Sequence, residues 1–228
     1  MTFHPLAAMA VRQIGEDGSV CELGNQRFTA GGDFTSTEEF YHSLGYGYTA
    51  LDVNTNMGAR VVDLNKLIRG RHFDLVDKFD LVTNNGTGEH IFNQDAVFEN
   101  CHDLCKVGGV MLHILPMTPW INHGFYNYNP ILFRDLAEAN GYEWVFLWLS
   151  DRWGNKVEIP ESDFDEAFRE KHPNSLKEAV SAVIGERGCD CMIAAAFRKK
   201  ADRPFRRPFQ GKYMGDIADS SVKAVYAR

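Results

Sequence analysis

The chain has 228 residues, 44% of them hydrophobic, which is enough for one large domain with a substantial core and too few for two full ones. Its 24 Lys plus Arg against 31 Asp plus Glu give a formal charge of −7, which argues against a protein built to coat nucleic acid or an anionic membrane. No apolar run approaches the roughly 20 residues of a membrane helix, and the opening "MTFHPLAAMAVRQIGEDG" lacks the pattern of a secretory leader, so a cytoplasmic protein is expected.

In chain order, "SVCEL" (19–23) is the first strand, running into "GNQRF". A helix follows through "STEEFYHSLG", with Ser36 placed to cap its start and Gly45 just past its end. "YTALDV" is the second strand, "ARVVDL" a short third ending at Asp63, and "KFDLVTN" the fourth. Asn93 then opens a helix, "QDAVFENCHDLCK", whose Val97, Cys101, Leu104 and Cys105 recur at helical spacing, with Gly108 and Gly109 as its stop.

"VMLHILP" is the fifth strand. In "NPILFRDLAEANG", Asn129 stands at the cap, Pro130 at the first helical position and Gly141 at the end. "YEWVFLWLS" and "DCMIAAAFRK" are the sixth and seventh strands. Strands alternating with helices of this length imply a mainly parallel sheet covered on both faces.

The organisation expected is a single domain over 1–200, an insertion at 151–188 between the last two strands, and a basic extension at 201–228. The insertion, too long for a hairpin, is a candidate lid or a contact in a homodimer. Among the five cysteines, Cys101 and Cys105 have i, i+4 spacing and Cys189 and Cys191 would share a strand face. None forms a CxxC pair, so buried reduced thiols are expected. No spacing of His, Cys and acids yields a metal site, and no metal is expected.

The stretch "FDLVTNNGTGEHIFN" (79–93) is a hydrophobic strand that stops abruptly in small, polar residues. In open α/β sheets ligands bind outside the carboxyl ends of the strands. Three other strands also end in acids: Glu22, Asp52 and Asp63. A dinucleotide fingerprint needs GxGxxG after the first strand, and here Gly24 is followed by Asn25, Gln26, Arg27 and Phe28, which disfavours a nicotinamide enzyme.

In their order and placement, "VCELGNQ", "ALDVN", "VVDLN", "FDLVTNNGTGEHI" and "LCKVGGVMLHILP" resemble the motifs of class I S-adenosylmethionine-dependent methyltransferases, over roughly residues 18 to 150. The resemblance implies a Rossmann-like α/β fold with a doubly wound, mainly parallel seven-stranded sheet, and S-adenosylmethionine as the cofactor. It implies that Glu22 and Gly24, with Asn25 and Gln26, hold the amino-acid part of that cofactor. Asp52 would hold the ribose, Val53 would pack on the adenine, Asp63 and Leu64 would face the adenine edge, and Asn84, Asn85 and Gly86 would line the methyl-bearing side.

The reaction implied is methyl transfer to an oxygen or nitrogen of a small-molecule acceptor. A base is needed only where the acceptor carries a proton. His123, in the aromatic and amide-rich "WINHGFYNYNP", is the preferred base, with Tyr126 and His90 in support; His113 lies within a strand and reads as a core histidine. The tail "FRKKADRPFRRPFQGK" supports a rival reading, an RNA methyltransferase, and the sparse-glycine "GNQRF" loop another, a non-catalytic S-adenosylmethionine-binding regulatory protein.

Overall fold

The computed structural model describes residues 6–27, 34–151, 155–160, 164, 175–184 and 190–226. Eight strands form one sheet: β1 (Ser19–Leu23), β2 (Gly47–Asp52), β3 (Arg60–Val61), β4 (Phe79–Asn85), β5 (Cys105–Thr118), β6 (Glu143–Ser150), β7 (Lys156–Glu158) and β8 (Cys191–Arg198). Their order is β3-β2-β1-β4-β5-β8-β6-β7. The pairings among β3, β2, β1, β4 and β5 are parallel, whereas β8 runs antiparallel between β5 and β6.

Among the described residues the expected seven strands are eight. The extra strand, β7, forms an antiparallel hairpin with β6 at the start of the insertion, pairing Ser150 with Lys156. The later helix-like segment of the insertion is helical over Ser175–Ile184. Cys189 and most of the remaining insertion lie outside the described residues.

The helices start and stop where local chemistry dictates. In α2 (Thr37–Ser43), which follows the short α1 (Ala7–Val11), the Ser36 hydroxyl accepts a hydrogen bond from Glu39 N at 3.1 Å, and Glu38 and Glu39 sit in the favourable first turn. In α3 (Gln94–Leu104) the Asn93 side chain accepts from Ala96 N. The third of these, α4 (Pro130–Asn140), ends at Gly141, whose φ of 63° is the left-handed geometry that glycine adopts without strain. The sequence places the α3 stop at Gly108 and Gly109, but the helix yields to β5 at Cys105; the two glycines lie within that strand, where its register against β4 shifts.

Alternation along β5 divides the core. Val110, Leu112 and Ile114 pack on one side with Leu6, Ala10 and Tyr41, while Met111 and Leu115 pack on the other with Val97, Leu104 and Phe133. Four cysteines, Cys21, Cys101, Cys105 and Cys191, are buried and free, as small hydrophobes behave. No helix among the described residues is long and apolar enough to cross a membrane.

The chain order reverses at β1: its successors β2 and β3 lie on one side, and β4 and β5 on the other. Ligands in such sheets bind at this switch point, outside the carboxyl ends of β1 and β4.

Candidate active site

Gly24 leaves β1 with φ 75°, and its N–H donates to Leu51 O at 2.7 Å. Gly86 leaves β4 with φ 64° and donates to Ile114 O at 2.9 Å. The two turns are tied together: Gln26 Nε2 donates to Asn85 O at 2.8 Å, and Thr87 Oγ1 donates to Leu23 O at 2.6 Å. A Cβ on Gly24 would overlap Thr87 Oγ1, so glycine is required by both conformation and space.

Glu22 precedes the Gly24 turn. Only 1% exposed, its Oε2 accepts from Tyr48 OH (2.6 Å), Thr37 Oγ1 (2.7 Å) and Gln26 N (3.3 Å). Burial pushes its carboxyl up to about 7, against these hydrogen bonds, which favour the charged form. Expected at the amino-acid part of the cofactor, this carboxylate ties the turn to α2 and β2.

Asp52, at the end of β2, accepts from Asn25 N (3.0 Å), Val53 N (2.6 Å) and Asn54 Nδ2 (2.8 Å). A carboxylate has about four acceptor sites, so one is left, and the Asn54 side chain can be displaced to free a second. Val53 is 72% exposed beside it. Asp63 is held by Lys66 at 3.0 Å, which with the Asn65 N–H lowers its carboxyl below the ordinary range. Leu64, expected at the adenine edge with Asp63, has its side chain in the core with Ile68 and Phe98.

Asn84, expected on the methyl-bearing side, is also buried. Its fully buried amide accepts from Gly88 N (2.9 Å) and donates to His113 Nδ1 (3.3 Å), so it braces the loop and lines no open space. His113 is the core histidine expected, lowered to about 3 by burial. Asn85 and Gly86 stay at the strand end, with Asn85 O engaged by Gln26.

The loop after Gly86 delivers Glu89 and His90, and His123 arrives from the far side. His123 Nε2 lies 3.3 Å, and His90 Nε2 3.7 Å, from Glu89 Oε1. The two imidazole rings are 5.0 Å apart, and Trp120 packs on His123 at 4.6 Å. Gly124 lets this strand of loop lie against Glu89, whose O accepts from Phe125 N at 2.8 Å. Burial raises Glu89 to about 7 and, with His123 nearby, lowers His90.

Tyr126 does not join the histidines. Its hydroxyl donates to Phe92 O at 2.8 Å, and its ring lines a cavity of about 650 Å³ with Phe98, Tyr128, Phe205 and Arg207. Glu89 is not among the site residues the sequence suggests, and nothing in the local pattern reveals that His123 meets it.

The basic tail folds back on its own chain. Arg207 pairs with Asp95 at 2.7 Å, Arg203 O accepts from His102 Nε2 at 2.7 Å, and Phe205 packs against the core. A helix at Ser220–Tyr226 ends the described tail.

No protein-family model and no curated protein matches the chain by sequence. Solved structures match its fold. One is the 1,6-didemethyltoxoflavin-N1-methyltransferase of Burkholderia thailandensis with bound 1,6-didemethyltoxoflavin and S-adenosylhomocysteine, at TM-score 0.53 and 14% identity, covering 86% of this chain and 77% of that one. A second is a SAM-dependent methyltransferase from Archaeoglobus fulgidus (TM-score 0.52, 13% identity, 84% and 90% coverage). A third is a TehB-like SAM-dependent methyltransferase from Corynebacterium glutamicum (0.51, 14%, 87% and 89%).

The chain has the class I methyltransferase fold. Its strand order through β5 and the antiparallel β8 place the Gly24, Asp52 and Gly86 turns side by side at the open end of that fold's sheet.

Proposed function

We propose that this protein is an S-adenosylmethionine-dependent methyltransferase acting on an oxygen or nitrogen of a small-molecule acceptor. The observation that carries the reading is the junction of the two glycine turns with Asp52 at the topological switch point. The residues fit the cofactor: Asp52 keeps acceptor capacity for a ribose hydroxyl, and exposed Val53 offers an apolar surface to an adenine.

The holding groups are the turn Gly24–Gln26 for the amino-acid end, Asp52 for the ribose, Val53 and Asp63 for the base, and Asn85 and Gly86 beside the methyl. Glu22, Leu64 and Asn84 act from behind, by fixing these groups. When bound, S-adenosylmethionine supplies a methyl on a sulfonium: the S–CH₃ bond breaks with its electron pair going to sulfur, as a bond from the acceptor atom to that carbon forms.

The protein's share is to hold donor and acceptor in line, an effect of up to several kcal/mol. An acceptor that is a hydroxyl or ammonium must also lose its proton. His123 Nε2, 37% exposed by side chain and backed by Glu89, is the group assigned to receive it, with His90 beside it and Tyr126 shaping the neighbouring wall. Paired Arg207 and the packed tail favour a small acceptor over a polynucleotide.

The test is release of S-adenosylhomocysteine from methyl-labelled donor in the presence of a panel of small hydroxyl and amine acceptors. Label transfer to an acceptor, reduced at least tenfold by Gly24→Val, supports the reading. Label transfer to RNA alone would replace it with the nucleic-acid reading.

A further inference from the structure

Glu89 is the least satisfied charged group of the site. Its carboxylate is 1% exposed, yet neither oxygen receives a hydrogen bond. Buried carboxylates are nearly always hydrogen-bonded or bound to a cation, because desolvation without compensation is costly. Two half-exposed imidazoles face it without hydrogen-bonding geometry, and the three ligand atoms of Glu89, His90 and His123 lie within 4.8 Å of one another.

Two of the three separations approach those of a coordination site. Ligand atoms about 2.1 Å from one ion, at tetrahedral or octahedral angles, are about 3.0–3.4 Å from each other. His123 Nε2 to Glu89 Oε1 is 3.3 Å already and His90 Nε2 to the same oxygen 3.7 Å, so the set is completed when the two surface imidazoles, whose ligand atoms lie within 4.8 Å, close toward each other. We propose that Glu89, His90 and His123 bind a divalent first-row transition-metal ion of the zinc, iron or cobalt class.

The donor set selects that class: two imidazoles and one carboxylate suit borderline ions, while magnesium and calcium prefer all-oxygen shells. Three protein ligands on one side leave coordination positions open, as catalytic sites do and closed structural sites do not. Gly124 contributes by allowing the His123 loop to reach Glu89, since a Cβ there would collide with the Glu89 backbone and side chain.

The role of the ion deepens the methyl-transfer reading and rests on it. With the ion bound, His123 Nε2 is a ligand and the proton-accepting role proposed for it above falls away; an acceptor hydroxyl entering an open position would instead lose its proton to water near neutral pH through the ion's charge. The acceptor class then narrows to oxygen nucleophiles, with the oxygen held beside the turn that carries Gly86. Metal binding itself requires no donor, so its failure is separable from failure of the methyltransferase reading, which calorimetry with S-adenosylmethionine tests alone.

The experiment is titration of chelator-treated, full-length protein with Co²⁺, followed by visible absorption, and with Zn²⁺, followed by calorimetry. One ion per chain is expected, with His90→Ala and His123→Ala each weakening binding at least tenfold and exposed His42→Ala leaving it unchanged. Glu89 is buried and its replacement risks misfolding, so the two exposed histidines carry the test. Zn²⁺ should also raise the melting temperature of the wild type and not that of the folded His90→Ala/His123→Ala double variant. Absence of stoichiometric uptake by folded wild type, or equal affinity in the double variant, overturns the proposal.

Discussion

Thr87 closes over Gly24: its hydroxyl donates to the carbonyl of Leu23 at 2.6 Å and occupies the space a Cβ on Gly24 would need. The β1 turn and the β4 turn are therefore one unit. Gly24→Ala combines a positive φ with overpacking, and each costs about 1–2 kcal/mol or more. A loss of about 2–5 kcal/mol is expected in denaturant melts, with part of it recovered in the Gly24→Ala/Thr87→Ala double variant. Full additivity of the two changes would show that the turns do not touch.

Glu22 sets a pH dependence of stability. In the folded chain its carboxyl titrates at about 7, against an ordinary value of 4.5. The folded protein thus keeps a proton that the unfolded chain releases first, so this group's contribution is complete below about pH 4.5 and is lost as pH rises through about 7. The loss amounts to about 3 kcal/mol in all, at up to 1.4 kcal/mol per pH unit. Glu22→Gln should remove one proton's worth of slope from urea melts between pH 5 and 7; parallel slopes in the two proteins would contradict the assignment.

Asn84 links the loop that carries Glu89 and His90 to the core through Gly88 N and His113 Nδ1. Asn84→Ala leaves both buried partners unpaired, a cost of about 1–3 kcal/mol. Because that loop also carries site residues, methyl transfer should fall more than the fraction unfolded explains. An active enzyme with unchanged melting would remove Asn84 from this role.

How much of this was legible in sequence depends on range. The ends of β1, β2 and β4 are readable because each strand stops at a local acid or glycine, the α2 and α3 starts because caps are local, and the α4 start because Pro130 suits the first helical position. The inward turn of Leu64 and Asn84 was not readable: both follow or close a strand where polar and apolar residues mix, and only the packing of α3 and β5 against them decides the face. The three-residue β7 carries no periodic signal. The meeting of Glu89 with His123 depends on a loop folding back across the sheet end, aided by Gly124, which no local pattern encodes.

Lys199 anchors the end of β8. Its buried ammonium donates to Asp77 Oδ1 (2.8 Å), Cys105 O (2.9 Å) and His102 O (3.0 Å). Lys199→Met removes a buried charge that three acceptors depend on and should cost about 3 kcal/mol. The adjacent Lys200, paired with Glu143 at the surface, should lose no more than about 0.5 kcal/mol on the same change. Equal thermal shifts for the two variants would refute this ranking.

The central claim is that the switch point at the ends of β1, β2 and β4 holds S-adenosylmethionine. Calorimetric titration of S-adenosylmethionine and S-adenosylhomocysteine into the purified protein, repeated with Asp52→Ala, tests it most directly. Micromolar binding of both, weakened by about 1–3 kcal/mol when the ribose acceptor is removed, is the expected result. Folded protein that binds neither nucleoside would contradict the account and leave only the fold.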